Sequence, residues 1–309
     1  MLGGLFGKKK GRSVPDKAAR LSPAITSSIM ATVGSRGIPP MPSAAQKAFR
    51  LSVDPRAEAR DFIDIIESDE ALSARVIKIA NSVYYERGKK SETIEESVLV
   101  IGINELRNLL SATTLTEIFP SSHPARSQLW ANDIATAIAA KIIARKVLPS
   151  KEEAAFLAGL MHDIGKLMLL QRAGPDYQRI IDLVQSKGCD FCEAEEEVFP
   201  FNHTEVGQLI GEKWSFTEEL IDAIRNHHRP WSATASGGPI RLPELVKAAD
   251  LAAHALGLGH PRGFGRFKNS AIAALEEAWT QLQIAEPQRR GLAQEIQRTY
   301  DLEYDLYSN

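Results

Sequence analysis

The sequence predicts an all-α protein with two helical lobes. Apolar residues recur at spacings of three and four along most of the chain, a pattern typical of helices with one buried face. Capping residues and glycine stops divide these stretches, and no persuasive strand alternation or fixed-period repeat interrupts them. With 309 residues, 44% of them apolar and 25% charged, the chain has the composition of an ordinary soluble globular protein.

We predict four segments along the chain. Residues 1–28 form a flexible basic tail, residues 29–120 a first helical lobe, residues 125–258 a second helical lobe, and residues 259–309 a linker with a helical extension. A loop rich in serine and proline, residues 120–124, separates the lobes. The tail contains only one acid, Asp16, but six basic residues: Lys8, Lys9, Lys10, Arg12, Lys17 and Arg20.

The first lobe contains five short predicted helices. Each is marked by a capping or stop residue, or by apolar side chains at helical spacing. In chain order these markers are Pro42 and Ser43; Phe62, Ile65 and Ile66; Ser68 and Asp69; Thr93 and the stop Gly102; and Asn104.

The second lobe and the extension contain longer predicted helices. Gly207 and Gly211, four residues apart, indicate a helix face that another helix can approach closely. The predicted helices cover residues 127–147, 151–163, 166–172, 176–187, 191–198, 203–213, 217–228 and 241–256, followed by two closing helices over 270–284 and 288–302.

Bulk charge and hydropathy argue against two classes of partner. A net charge of −2 gives no global electrostatic case for nucleic acid. No stretch approaches 18 consecutive apolar residues, so we expect no membrane span.

The basic cluster near the start follows only a short apolar piece, which is the reverse of the order in a secretory signal. We therefore expect a cytoplasmic protein. Local positive residues come without a recognised DNA-binding motif: Arg225, His227, His228, Arg229, Arg262, Arg266 and Lys268.

The most informative feature is the doublet His162-Asp163 at the end of an otherwise apolar helix. An imidazole nitrogen and a carboxylate side by side can both reach one cation. Burying two ionisable groups is costly unless something pairs with them or coordinates them. Two interpretations therefore stay open: a metal binds here, or the groups satisfy one another through hydrogen bonds.

Four further polar residues of the second lobe extend this pattern. They are His203, the pair His227-His228, and Asp250, which interrupts an apolar helix. Imidazoles with carboxylates form a ligand set suited to iron, manganese or zinc, and two cations could share Asp163 as a bridge. Lys166 could hold a phosphate.

Other histidines and the cysteines have simpler interpretations. We expect His254 to be a satisfied or surface residue, and His123 and His260, beside prolines, to be exposed. Cys189 and Cys192 form a CxxC pair without a second pair, and we interpret them as small residues that open a helix.

The second lobe resembles the HD superfamily of metal-dependent phosphohydrolases, with His162-Asp163 matching its name-giving doublet and Asp250 its closing aspartate. The chain is more specifically similar to the HDOD domain over residues 30–258. The segments IPPMPSAAQKAFRLSVDP, DEALSARVIKIANSVYY, ESVLVIGINELRNLL, FNHTEVGQLIGEKW and AIRNHHRP follow the HDOD order and spacing. The resemblance implies a bacterial regulatory module with signalling proteins as partners, and it allows a nucleotide ligand.

The resemblance also defines which site residues are kept and which are changed. Compared with the HD-GYP phosphodiesterases, the positions that match metal ligands, together with the adjacent lysine, are His162, Asp163, His203, His227, His228, Asp250 and Lys166. Asn132 stands where the family has its first ligand histidine, Gln128 falls where some members have a glutamate, and the Gly-Tyr-Pro signature is missing after His228. Two hypotheses follow: a non-catalytic or weakly catalytic regulatory protein with a partly retained metal site, and, as the alternative, a metal-dependent phosphodiesterase acting on a cyclic dinucleotide or another phosphoester.

Overall fold

Regular structure in the described residues is helical, which confirms the predicted all-α class. The computed structural model describes residues 20–308 except 42–45, 48, 50, 52–55, 83, 86, 87, 89, 232–238 and 260–264. The predicted cap at Ser43, the lysines of the basic tail and His260 lie outside the described residues.

The first helix corrects the predicted boundary of the flexible tail. Residues 1–28 are predicted to be a tail, but helix α1 spans Pro23–Val33 and begins with Ser22, whose hydroxyl accepts a hydrogen bond from the Ile25 amide at 3.2 Å. Ile29 of this helix is completely buried. A serine cap followed by proline is a standard helix start, so the signal for α1 was present in the sequence.

The rest of the first lobe is built from short capped helices. Asp69 and Thr93 cap the third and fourth helices as predicted, through side-chain oxygens that accept backbone hydrogen bonds. Asn104 does not cap the fifth helix, because that helix begins directly after Gly102, whose φ of 83° makes the turn. The helices are α2 (Ala59–Glu67), α3 (Glu70–Ala80), α4 (Ile94–Ile101) and α5 (Ile103–Ile118).

The second lobe surrounds one long central helix. Helix α6, Arg126–Val147, is buried on nearly every side and packs against the helices Glu152–Met161, Leu242–Leu256 and Glu286–Ser308. The helices that follow it are α7 (Glu152–Met161), α8 (Ile164–Arg172), α9 (Gly174–Lys187), α10 (Phe191–Glu196), α11 (His203–Lys213), α12 (Glu218–Asn226) and α13 (Leu242–Leu256).

Two closing helices complete the chain, α14 (Gly265–Gln281) and α15 (Glu286–Ser308). Helix α15 is longer than the predicted range of 288–302 because its last turns are buried against α6. The Trp130 indole donates a hydrogen bond to the Tyr307 carbonyl at 3.2 Å, and the Tyr307 hydroxyl donates to Glu105. Among the described helices, none combines the length and the hydrophobicity needed to cross a bilayer.

The last helix also carries a carboxyl group with a shifted pKa. Burial, followed by the nearby Glu105 carboxylate, raises the pKa of Glu303 to about 7, and the Tyr84 hydroxyl donates to Glu303 at 3.0 Å. An unfolded glutamate has a pKa of about 4.3, so the folded protein binds this proton more tightly. The stability that depends on Glu303 is therefore fully present below about pH 4 and is lost as the pH rises through about 7.

We expect Glu303→Gln to raise the melting temperature by a few degrees at pH 8 and to leave it unchanged at pH 4. The amide keeps an oxygen that can accept from Tyr84 but cannot ionise. Thermal melting followed by circular dichroism at both pH values measures this, with Glu295→Gln on the exposed face of α15 as the control. An equal effect at pH 4 and pH 8 would contradict the assignment.

Candidate metal centre

The doublet lies in the short break between helices α7 and α8. Met161 ends α7 and Ile164 begins α8, so His162 and Asp163 occupy the junction and project from the ends of two apolar helices. The His162 side chain has no exposed area, and Asp163 is 3% exposed. The sequence therefore places both polar groups in the core, where each needs a partner.

Local hydrogen bonding fixes how the His162 ring faces the site. Its Nδ1 lies 2.7 Å from the Gly159 carbonyl, which can only accept, so Nδ1 carries the proton. Nε2 then faces Asp163 Oδ2 at 3.3 Å and Asp250 Oδ1 at 3.5 Å, and although burial opposes a charged ring, these carboxylates raise the pKa of His162. This is the orientation of a metal-ligating imidazole held by a backbone carbonyl.

Three more histidines approach Asp163 from helices α11 and α12. His203 is the first residue of α11, and its Nε2 lies 3.1 Å from Asp163 Oδ1. His227 and His228 follow the end of α12; Nε2 of His227 lies 3.6 Å from the same oxygen, and Nε2 of His228 lies 3.2 Å from that of His203. One ligand atom from each of Asp163, His203, His227 and His228 lies within 4.8 Å of all the others.

His227 and His228 are held in the neutral form that binds metals. Burial lowers the pKa of His227 to about 4, and burial together with His227 lowers that of His228 well below its usual value. The Nδ1 proton of His227 is donated to the Ile224 carbonyl at 2.9 Å, which leaves the lone pair on Nε2 facing Asp163. Both rings can therefore coordinate without first losing a proton.

Glu195 is a site residue that the sequence analysis missed. Its side chain is completely buried, and Oε2 accepts from both the backbone amide and Nδ1 of His203 at 2.7 Å. The Tyr177 hydroxyl donates to the other oxygen at 2.9 Å. Burial opposes the charged ring, but Glu195, Cys192 and Asp163 raise the pKa of His203 well above its usual value. Glu195 thus orients His203 so that Nε2 faces Asp163.

Lys166 lies one turn after the doublet and pairs with Asp163. Its ammonium is 2.5 Å from Asp163 Oδ2 and lies over the Phe191 ring at 4.3 Å. Burial disfavours the Asp163 carboxylate, but His162, Lys166 and His203 outweigh that effect and hold its pKa well below the usual range. Asp163 is therefore ionised at neutral pH and shared by three neighbours.

Asp250 and His254 form a second buried pair beside the doublet. The two residues lie one turn apart on α13, with His254 Nε2 at 3.0 Å from Asp250 Oδ1. The Asn132 amide nitrogen is 3.5 Å from the other His254 ring nitrogen. His254 is 5% exposed, so the expectation of a surface residue is wrong, whereas its pairing agrees with a satisfied histidine.

The six residues that the family resemblance predicts as ligands lie close together, and two of their buried ring nitrogens, Nε2 of His162 and Nε2 of His227, make no hydrogen bond. Asp163 Oδ1 and Asp250 Oδ1 also make no hydrogen bond, but each lies close to a histidine nitrogen, that of His203 at 3.1 Å and that of His254 at 3.0 Å. Orphaned buried polar atoms are rare because each is costly. Lone pairs of this kind, facing one another, fit a divalent cation. The residue types present therefore suit the metal that the resemblance implies.

The predicted helix-opening role of the cysteines is only partly matched. Helix α10 begins at Phe191 with Asp190 as its cap, so Cys189 precedes the helix and Cys192 lies in its first turn. Both thiols are free, and Cys192 Sγ lies 4.0 Å from His203 Nδ1. No feature of the sequence predicts that proximity.

The helical architecture and the buried histidine–aspartate cluster define an all-α protein with a candidate metal centre at a helix junction. The chain belongs to the HDOD domain family, whose model matches residues 38–230. That range lies within the residues 30–258 over which the sequence resembles HDOD domains, and the recognition is confirmed.

Known proteins resemble this chain at low sequence identity, and two solved structures share its fold. A Treponema pallidum (strain Nichols) protein of uncharacterised function is 24% identical over 206 residues, 66% of this chain and 40% of that protein, so the chain spans less than half of that relative. A candidate signal transduction protein from Marinobacter aquaeolei VT8 has a TM-score of 0.71 at 23% identity and covers 88% of this chain and 60% of its own. A candidate phosphohydrolase from Shewanella amazonensis SB2B has a TM-score of 0.68 at 22% identity, covering 91% and 97%.

Proposed function

We propose that this chain is a regulatory HDOD protein that holds a divalent cation in its second lobe and couples a signal to partner proteins through its helical surfaces. Hydrolysis is weak or absent. His162, Asp163, His203, His227, His228 and Asp250 hold the metal, which is iron, manganese or zinc. The similarity to a candidate signal transduction protein is consistent with this role.

The observation that carries the proposal is the burial of a converging ligand set. Five of the six proposed ligands are at most 5% exposed, and only His228 is half-buried. Within the described residues, this burial leaves little of Asp163 exposed to a bulky phosphodiester, whereas a small cation needs only the ligand atoms.

Two features of the site also favour regulation over catalysis. Asn132 replaces the first ligand imidazole with a neutral amide, a poor ligand for a transition metal. Lys166 is held by Asp163 at 2.5 Å and would have to leave that carboxylate before it could contact a phosphate. A bound cation would supply Lewis-acid activation of water or a phosphate oxygen.

Metal content and its effect on stability test the proposal. Elemental analysis of protein purified without added metal is expected to find at least one ion of iron, manganese or zinc per chain. A chelator is expected to lower the melting temperature by about 5–10 °C, because a site occupied at about 100 times its Kd contributes about 2.7 kcal/mol. His227→Gln is expected to lose both the ion and the chelator effect.

A histidine outside the cluster provides the control. His123 lies in the loop before α6 and accepts a hydrogen bond from the Ala125 amide, so His123→Gln should keep the metal and the chelator effect. Wild-type protein without metal, melting at the same temperature with and without chelator, would contradict the proposal.

The alternative function is metal-dependent hydrolysis of a cyclic dinucleotide or another phosphoester, which the similarity to a candidate phosphohydrolase favours. Metal-loaded protein assayed against cyclic di-GMP and bis(p-nitrophenyl) phosphate separates the two functions. Efficient turnover that disappears in His162→Ala and Asp163→Ala would establish the enzyme and overturn the regulatory proposal.

A further inference from the structure

A cleft of about 520 Å³ lies where the two lobes meet, and we call it the interlobe cleft. Its walls include Thr116 of α5, Ser121 of the linking loop, Arg126 and Trp130 of α6, and Tyr304 of α15. A cleft of this volume is large enough for a small molecule. The described residues that line it include no carboxylate and none of the proposed metal ligands. The interlobe cleft is therefore a candidate ligand site separate from the metal centre.

Arg126 places a guanidinium group in the interlobe cleft. Its Nε donates to the Phe119 carbonyl at 3.0 Å, and the guanidinium lies over the Trp130 ring at 5.2 Å. These contacts orient the group, while neither of its η nitrogens makes a hydrogen bond to a described residue. Burial lowers the pKa of Arg126, and the Asp133 carboxylate partly offsets this without forming an ion pair in the described part of the chain. Arginine stays charged even so, and this half-buried positive charge is available to an anion.

Two hydroxyl groups of the interlobe cleft can donate to the same anion. Ser121 Oγ accepts from the His123 amide at 3.1 Å, which leaves its own proton for a ligand. The Tyr304 hydroxyl lines the cleft and makes no hydrogen bond to a described residue. A guanidinium and two hydroxyl donors without a carboxylate select a negatively charged ligand. A phosphate monoester suits this set better than a carboxylate does, because it has three terminal oxygens and close to two negative charges at neutral pH.

We propose that the interlobe cleft binds a small phosphate monoester, with Arg126 pairing with the phosphate and Ser121 and Tyr304 donating to its oxygens. The cleft is larger than a phosphate ion requires, which leaves room for an organic group the size of a sugar. Helices α5, α6 and α15 and the linking loop all contribute to it, so one ligand contacts both lobes. The inference goes beyond the proposed function, because it gives a regulatory protein a place to receive a small-molecule signal and does not depend on a bound metal.

Isothermal titration calorimetry of the full chain with ribose 5-phosphate tests the site. We expect saturable binding of ribose 5-phosphate and of inorganic phosphate, and no binding of ribose. Arg126→Gln is expected to bind ribose 5-phosphate at least about tenfold more weakly, because it loses a charged hydrogen-bond donor. Arg298→Gln is the control, since Arg298 is an exposed arginine of α15 outside the cleft, and it should bind like wild type. A chelator should leave the affinity unchanged, which keeps this site distinct from the metal centre.

A pair of variants at the rim decides the question even if Arg126→Gln does not fold. Ser127 is exposed and lines the interlobe cleft, so neither Ser127→Glu nor Ser127→Gln removes a buried contact. The carboxylate of Ser127→Glu should repel the phosphate and weaken binding at least about tenfold, whereas Ser127→Gln should bind like wild type. The proposal is overturned if wild type binds neither phosphate compound, if ribose binds as tightly as its phosphate, if the chelator abolishes binding, or if Ser127→Glu and Ser127→Gln bind equally.

Discussion

Asp163→Asn is expected to lower the free energy of unfolding by about 3–5 kcal/mol even in the presence of a chelator. The substitution leaves the Lys166 ammonium, 2% exposed, without its carboxylate partner at 2.5 Å. Among the described residues no other carboxylate lies within 4.0 Å of that ammonium. Urea denaturation with the chelator present measures the loss without any contribution from bound metal.

An exposed pair in the same lobe provides the matched control. Lys187 and Glu197 are 2.6 Å apart, but both side chains are about half exposed, so Glu197→Gln should cost at most about 1 kcal/mol. Adding Lys166→Met to Asp163→Asn removes the stranded charge and is expected to restore most of the stability. If Asp163→Asn costs no more than Glu197→Gln, the pair is not essential to the fold.

Much of the fold follows from local signals in the sequence. The side-chain oxygens of Asp69 and Thr93 accept hydrogen bonds from free amides in the first turns of α3 and α4. Gly102 supplies the positive φ with which α4 ends. The same reasoning failed where packing decides the length, as in α15, whose last turn is fixed by contacts of Tyr307 with residues more than 170 positions away.

The candidate site was predictable where residue type alone carries the signal. An ionisable doublet after an apolar helix, paired histidines and an acid inside an alanine-rich helix are each unusual, and the structure brings all of them together. Their predicted role as ligands remains a proposal. The interhelical distances depend on how α8 packs on α11. Gly207 indicates that a helix can approach α11 closely, and Gly165 of α8 does so, but the sequence does not identify which helix packs there.

The missed residues show the limit of reading the sequence alone. Glu195 lies in the acidic run AEEEV, which resembles a solvated surface, and only the fold brings Tyr177 and His203 to it. His254 was different: it follows Asp250 by four residues, the spacing at which helical side chains meet, so that pair could have been predicted.

Gly165→Ala is expected to destabilise the protein by about 3 kcal/mol or more and to abolish metal binding. A Cβ at Gly165 would lie 2.0 Å from the carbonyl oxygen of His203 and 3.0 Å from the amide nitrogen of Gly207, and neither backbone atom can move without displacing α11. That displacement would also pull the His203 ring away from Asp163, from which it is 3.1 Å distant. Urea denaturation and metal analysis together measure both effects.

Gly291→Ala separates this steric effect from the helix propensity of alanine. Gly291 lies on the exposed face of α15, and a Cβ there would contact nothing within 4 Å. Since alanine is the better helix former, this control should gain about 0.5–1 kcal/mol and keep its metal. The close packing of α8 on α11 is thus expected to set both stability and the position of His203, and a Gly165→Ala variant as stable as Gly291→Ala would show that the two helices can separate at little cost.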